Sequence, residues 1–364
     1  MSARPAAARA HRYVVIMAGG VGTRFWPHSR RRRPKQFLAV RGRSTLLQDT
    51  ARRARALVPW ARIVVVAPRE LAPLVRRQLP ALPRTNLVIE PAARGTAACL
   101  ALAAAYIARR DPDAAMAVFP ADHAIRQVTR FQRCMQRGFE IAEGQDCLVT
   151  FGIPPTDAET GYGYVESGAP LRRGTPRVHW VARFVEKPDR ATAQRFVESG
   201  RYLWNSGMFV WRVAVLQAAL AQHAPPLARV MEDVRRARPA GATAARRAFR
   251  RLQPLSIDVA LMERAERVAV VVATFDWSDV GSWAAMAALW GRDAAGNASR
   301  GPALMIDCRD SVVYGTTRLV AVLGGRDLIV VDSPDALLVC PLSRAQEVRR
   351  IVDALGRGRH RRLR

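Results

Sequence analysis

Short apolar runs rich in β-branched residues alternate with segments of helical periodicity through the first half of the chain. The runs are Tyr13–Met17, Arg62–Ala67, Leu87–Ile89, Ala115–Phe119 and Cys147–Phe151, and helical patterns lie near 45–57, 69–79, 95–109 and 128–143. A strand that is apolar throughout needs cover on both faces, and helices between such strands supply it. The pattern predicts a doubly wound α/β layer with a parallel sheet, which takes its ligands at the carboxyl ends of the strands. Extended segments near 162–166, 177–185 and 207–212 predict a mixed extension of that sheet, followed by a helical region over roughly 213–267.

After Trp290 the texture changes. Strand-like runs recur at Ala303–Ile306, Ser311–Tyr314, Leu319–Leu323, Leu328–Val331 and Ala336–Cys340, with Gly, Asp and Pro between them and a terminal helix near 343–355. This is a small β-rich domain, either a β-helix or stacked hairpins, without a clean long-period repeat. The division reads as 1–292 and 293–364. The second part is expected to serve packing or subunit contact and to supply no catalytic group.

Composition supports a packed protein, with 49% hydrophobic and 24% charged residues. The formal charge of +28 would suggest a polyanion partner, but the excess is arginine scattered over every segment, with runs at Arg30–Arg33 and in the tail Arg357–Arg364. Such scatter is a surface bias, and no aromatic–basic interleaving supports specific nucleic-acid binding. Five cysteines form no CxxC pair, which fits a reducing cytoplasm. The basic, Ala-rich start is followed by an apolar run too short for a signal segment, and no stretch approaches membrane-spanning length. The expected location is cytoplasmic, with no membrane partner.

Among the 58 Lys+Arg residues only Lys35 and Lys187 are lysine. Arg is a planar fork and Lys a compact point charge, so two sites that keep Lys in so arginine-rich a chain point to chemistry. Lys35 closes a segment that opens with Ala18-Gly19-Gly20-Val21-Gly22-Thr23-Arg24, directly after a predicted strand. Glycines there let backbone N–H groups approach a phosphate chain, with Thr23 and Arg24 as further donors. The spacing is neither a Walker A loop nor a dinucleotide fingerprint. Asp122, in Phe119-Pro120-Ala121-Asp122-His123, ends a buried strand, and Asp279 lies between Trp277 and Trp283. Two carboxylates plus nucleotide phosphates suit one Mg²⁺ ion, with His123 as a neighbour that fixes the loop. Lys187 follows Glu186 in Phe184-Val185-Glu186-Lys187-Pro188, between Thr160-Gly161-Tyr162-Gly163-Tyr164 and Trp204-Asn205-Ser206-Gly207. Small, polar and aromatic groups of this kind recognise a sugar, and Lys187 is available for its phosphate.

Taken together the chain resembles the sugar-nucleotide pyrophosphorylases, and most closely the bacterial mannose-1-phosphate guanylyltransferases. The matching segments are Gly19–Leu38, Glu90-Pro91 with Arg94-Gly95-Thr96-Ala97, Pro120–Ile125, Thr160–Tyr164, Phe184–Pro188, Trp204–Phe209 and Trp277–Trp283. The resemblance implies a Rossmann-like, GT-A-like nucleotidyltransferase domain with a small left-handed β-helix behind it. It implies GMP transfer from GTP to mannose 1-phosphate, and a homodimer is the expected assembly. By the same resemblance Gly19, Gly20, Gly22, Thr23, Glu90, Gly95 and Thr96 hold the nucleotide. Arg24, Lys35 and Lys187 are the catalytic cations, Asp122 and Asp279 ligate Mg²⁺, and Gly163, Glu186 and Asn205 bind the sugar. Two departures stand out. Gly95 occupies a position where the family usually has Asn, which bears on base selectivity, and the chain is too short for the cupin isomerase domain of the longer members. Another sugar or nucleotide, or a silent regulatory subunit, would keep the same fold; intact Lys35, Asp122, Lys187 and Asp279 argue against the silent subunit.

Overall fold

The computed structural model describes residues 10–20, 22–40, 42–237, 242–358 and 360–363. Val21 of the Gly-rich segment, and Arg359 and Arg364 of the basic tail, lie outside these residues. By its internal contacts the chain divides into two compact units. The first comprises the chain through Gly19, Thr50–Pro120 and Ile125–Trp277; the second comprises Gly20–Asp49, Ala121–Ala124 and the chain from Ser278 onward.

The first unit is built on a nine-stranded sheet. Its strands are β1 (Arg12–Met17), β2 (Ile63–Pro68), β3 (Leu87–Glu90), β4 (Ala115–Pro120), β5 (Leu148–Ile153), β6 (Tyr164–Arg172), β7 (Val178–Val185), β8 (Tyr202–Arg212) and β9 (Val268–Val272). They lie in the order β3-β2-β1-β4-β8-β5-β9-β7-β6. The parallel expectation holds for β1 to β4, with Val15 of β1 opposite both Val64 and Val118. It fails beyond β4, because β8 runs antiparallel between β4 and β5. Of the expected mixed extension, β6 and β7 lie at the edge of the sheet, whereas β8 is inserted between β4 and β5. Residue burial explains why: β8 is apolar and buried along nearly its whole length, so both of its faces need cover. It also begins at Tyr202, placing Asn205 inside a strand. The fully buried β9 was not among the expected strands.

Helices cover the sheet. Gly95–Ala108 is apolar on all sides and buried over most of its length, as a central helix must be, and packs against Pro225–Arg236. The expected helical region resolves into Val213–His223, Pro225–Arg236, Ala242–Arg251 and one wide π-helical turn, Asp258–Met262. Among the described residues no helix is long and apolar enough to cross a membrane, and all five cysteines are free thiols.

The second unit contains β10 (Ala298–Arg300), β11 (Ala303–Ile306), β12 (Val312–Tyr314), β13 (Val320–Leu323), β14 (Leu328–Ser333) and β15 (Ala336–Pro341). β10, β12 and β14 are parallel neighbours, as are β11 and β13; β15 alone returns antiparallel. Parallel strands joined by short turns are coils of a β-helix, which settles against stacked hairpins. A coil advances 17 residues, as when Leu328 N–H donates to Ser311 Oγ. The repeat escapes the sequence because the β10 to β12 step is shorter. Corner residues Asp310 and Asp327 take left-handed backbone, which Asp tolerates better than most residues. Inside the coils, Val312, Ile329, Val331 and Leu338 share one core with Phe25, Trp26, Leu38, Val280 and Trp283. The Gly-rich loop therefore packs with the β-helix.

Candidate active site

In the second unit, the segment after β1 turns at Gly22, whose φ of 62° and crowding both exclude a side chain: a Cβ there would stand 2.4 Å from Lys35 Cβ. A short 3₁₀ turn, Thr23–Phe25, follows. Arg24 is exposed, and its Nη1 donates to Gln346 Oε1 at 2.5 Å. Lys35 begins a second 3₁₀ turn and is buried. Its Nζ donates to Asp122 Oδ2 at 2.9 Å and to the main-chain oxygen of Asp279. Asp122 and Asp279 are brought together by backbone pairing: Ala124 N–H donates to Ser278 O at 2.9 Å and Ser278 N–H to Ala124 O at 3.0 Å. Burial opposes ionisation of Asp122, but the charges of Lys35 and His123 and the Lys35 hydrogen bond outweigh it, so its carboxyl sits below the usual range. Val280 next to Asp279 is fully buried at φ 47°, a backbone region that costs a β-branched residue about 1–3 kcal/mol. Gly281 clears space for the Asp279 carboxylate, which lies 2.8 Å from where a Cβ would be.

The donors of this group are hard oxygens. Among the described residues no three His, Cys, Asp or Glu side chains gather as a metal cluster. Two carboxylates with further positions left to phosphate and water are the set Mg²⁺ prefers, so Asp122 and Asp279 fit the expected ion.

In the first unit the predicted residues fall into two groups. Glu90 ends β3, beside Gly19, and its carboxyl is pushed up to about 7 by burial, against an opposing hydrogen bond from the Arg94 backbone. The following segment is stapled to residues 250–257. Arg94 donates to Arg250 O, Leu255 N–H to Arg94 O, Ala97 N–H to Leu255 O, and Ile257 N–H to Thr96 Oγ1. Gly95, at φ 82°, has the Leu255 carbonyl oxygen 2.2 Å from where its Cβ would be. The departure at this position thus has a steric reason, since any side chain would strike that carbonyl.

The other group surrounds Lys187. Gly163 O accepts from Asn205 N–H at 2.7 Å, and a Cβ on Gly163 would lie 2.6 Å from Glu186 Oε2. Glu186 accepts from Lys187 Nζ, and its own N–H donates to Glu263 Oε1 at 3.0 Å. Lys187 has left-handed backbone, with φ 48°. Asn205 Nδ2 donates to Asp258 Oδ1 at 2.8 Å. The Tyr162 ring packs edge-on against Trp204 and Trp277, both at 5.2 Å. Asp258 and Glu263 are the members that motif reading missed. Their signal was an acid at each end of an otherwise apolar run, Asp258-Val259-Ala260-Leu261-Met262-Glu263.

A mixed sheet with a glycine-rich loop after its first strand is the framework of a nucleotidyl transferase. The nucleotidyl transferase family profile matches residues 13–293, and that of a MannoseP isomerase/GMP-like beta-helix domain matches residues 301–355. The Xanthan biosynthesis protein XanB of Xanthomonas campestris pv. campestris is 39% identical over 94% of this chain and 72% of its own length. A mannose-1-phosphate guanylyltransferase of Sinorhizobium fredii is 40% identical over 94% of this chain and 67% of its own. A solved Thermus thermophilus structure, described as a mannose-1-phosphate geranyltransferase, superposes with a TM-score of 0.86 at 33% identity, covering 95% of this chain and 99% of that one. The chain belongs to the mannose-1-phosphate guanylyltransferase family.

Proposed function

We propose that this protein transfers GMP from GTP to mannose 1-phosphate, giving GDP-mannose and pyrophosphate. The observation that carries the reading is that each of its two lysines meets a carboxylate within a segment matching the family. Lys35 meets Asp122 beside Asp279, and Lys187 meets Glu186 beside Asn205.

The sugar phosphate is already a nucleophile, so no general base is needed. The barrier comes from two anions brought together and from charge that develops on departing pyrophosphate. Arg24, Thr23 and the N–H groups around Gly19, Gly20 and Gly22 bind the triphosphate, and Lys35 supplies a fixed positive charge beside it. Lys187 takes the phosphate of the sugar, while Gly163, Glu186 and Asn205 orient the ring. Glu90, Gly95 and Thr96 belong to the segment assigned to guanine. Asp122 and Asp279 would hold a divalent cation, Mg²⁺, which when bound neutralises charge on the phosphates. Fixing the two reactants in line supplies much of the remaining acceleration.

The reading places the protein in the cytoplasm as a homodimer. Leu304, Ile306 and Leu323 project from paired β11 and β13 and stay 47%, 47% and 76% exposed, an apolar face suited to a second copy. The deciding assay measures pyrophosphate release over four nucleoside triphosphates and several sugar 1-phosphates, with and without EDTA. Highest kcat/KM for GTP with mannose 1-phosphate, lost on chelation and restored by Mg²⁺, is expected. Preference for another pair would overturn the assignment of substrates, and full activity in EDTA that of the metal.

A further inference from the structure

The carboxamide of Asn205 has its orientation imposed. Its Oδ1 lies 2.9 Å from the Thr150 hydroxyl and accepts from the Gly207 N–H at 3.3 Å, which turns Nδ2 toward Asp258. An amide nitrogen carries two hydrogens and a carboxylate accepts on two oxygens. After their mutual bond, the pair therefore retains one donor on Asn205 next to acceptor capacity on Asp258. Two adjacent sugar hydroxyls are the complement, since one can accept from the amide while its neighbour donates to the carboxylate.

The surroundings favour hydroxyls over a second phosphate. Glu186 and Asp258 repel one another, Lys187 counters both, and Glu263 adds a third acid through the Glu186 N–H. Such an excess of acceptors would repel an anion but welcomes O–H donors. Asp258 also opens the π-helical turn Asp258–Met262, a rare element frequent at functional sites, anchored by buried Ala260, Leu261 and Met262.

We infer that Asp258 and Asn205 together read two adjacent hydroxyls of the sugar, with Asp258 as the acceptor and a determinant of sugar specificity; this rests on the sugar 1-phosphate reading above. Burial, and then the Glu186 charge, push the Asp258 carboxyl up to about 6, so it still acts as an ionised acceptor at neutral pH.

The test crosses variants with analogues. Turnover of wild-type and Asp258→Asn protein is measured at saturating GTP, with the full sugar 1-phosphate and each of its monodeoxy analogues. Asp258→Asn keeps an oxygen for Asn205 and removes the charge. Its KM for the full sugar should rise about 10- to 100-fold, the worth of a hydrogen bond to a charged group, with KM for GTP and the melting temperature unchanged. For one deoxy analogue, lacking the hydroxyl that donates to Asp258, wild type and variant should become alike. An unchanged KM, or equal losses with every analogue, would overturn the inference. Should the variant melt early, wild type decides: two analogues deoxy at adjacent positions must lose the most. If the protein rejects mannose 1-phosphate, the substrate reading falls, and the same cycle on the sugar phosphate it accepts still decides for Asp258. If it turns over none, equilibrium binding of the analogues replaces KM, and absence of binding would overturn the inference.

Discussion

The Lys35 side chain is 7% exposed and its ammonium is fixed twice, by the Asp122 carboxylate and by the main-chain oxygen of Asp279. The Lys187 side chain is 60% exposed and its ammonium is held once, by its sequence neighbour Glu186. Lys35 is a rigid charge, ordered before any ligand arrives. Lys187 is a mobile charge on a constrained backbone, able to leave Glu186 for an incoming phosphate. On the proposed function, the same residue type would serve preorganisation in one place and capture in the other.

Removing the chain after Arg292 should break the first arrangement altogether. The core that holds Phe25 and Trp26 would lose Val312, Ile329, Val331 and Leu338. Turnover should vanish, although no catalytic side chain lies in the deleted part. A soluble truncated protein with wild-type kcat would show that the loop needs no β-helix.

Lys35→Arg comes next in size. The Lys35 ammonium is buried against the Asp122 carboxylate and the Asp279 main-chain oxygen, and a wider fork must displace them, so kcat should fall about 10²–10³-fold and the melting temperature should drop as well. Lys187→Arg should lose about 10²-fold in kcat/KM for the sugar phosphate, from one misaligned donor, with an unchanged melt. Circular-dichroism melts beside the kinetics separate the two cases. Equal thermal behaviour of the two variants would remove the distinction between rigid and mobile charge.

The smallest effect concerns Glu90. Its folded carboxyl titrates near 7, above the usual 4.5 or so, which means that the folded state holds this proton more tightly than the unfolded state. Stability from this group is therefore present at low pH and lost as pH rises from about 4.5 through 7. Melting temperatures between pH 5 and pH 8 should fall by a few degrees more in wild type than in Glu90→Gln. Parallel curves would show that Glu90 is ionised throughout.

Both lysines are legible in the sequence because arginine has taken nearly every other cationic position. Asp122 and Asp279 are legible as acids in local motifs, and Glu186 because it adjoins Lys187. Asp258 is not, since its meaning comes from Asn205, far away in the chain and inside a strand whose start was placed too late. The insertion of β8 between β4 and β5 is hidden for a related reason. Local periodicity reports which faces need cover, while strand neighbours are chosen by contacts of long sequence separation. Gly95 was legible as a departure, but its cause, the Leu255 carbonyl, lies 160 positions downstream.

The docking of the Gly-rich loop on the β-helix has a consequence for how the protein comes into being. Trp26 donates its indole N–H to Leu363 O at 2.9 Å across 337 positions of sequence, and accepts on its own carbonyl from Trp283. At synthesis rates of about 5–20 residues per second, the loop waits on the order of tens of seconds for these partners to leave the ribosome. The first unit has all of its strands once Trp277 is made. The nascent chain thus passes through a stage in which the scaffold can fold while the Gly-rich loop stays unset, until the segment through Leu363 has been made.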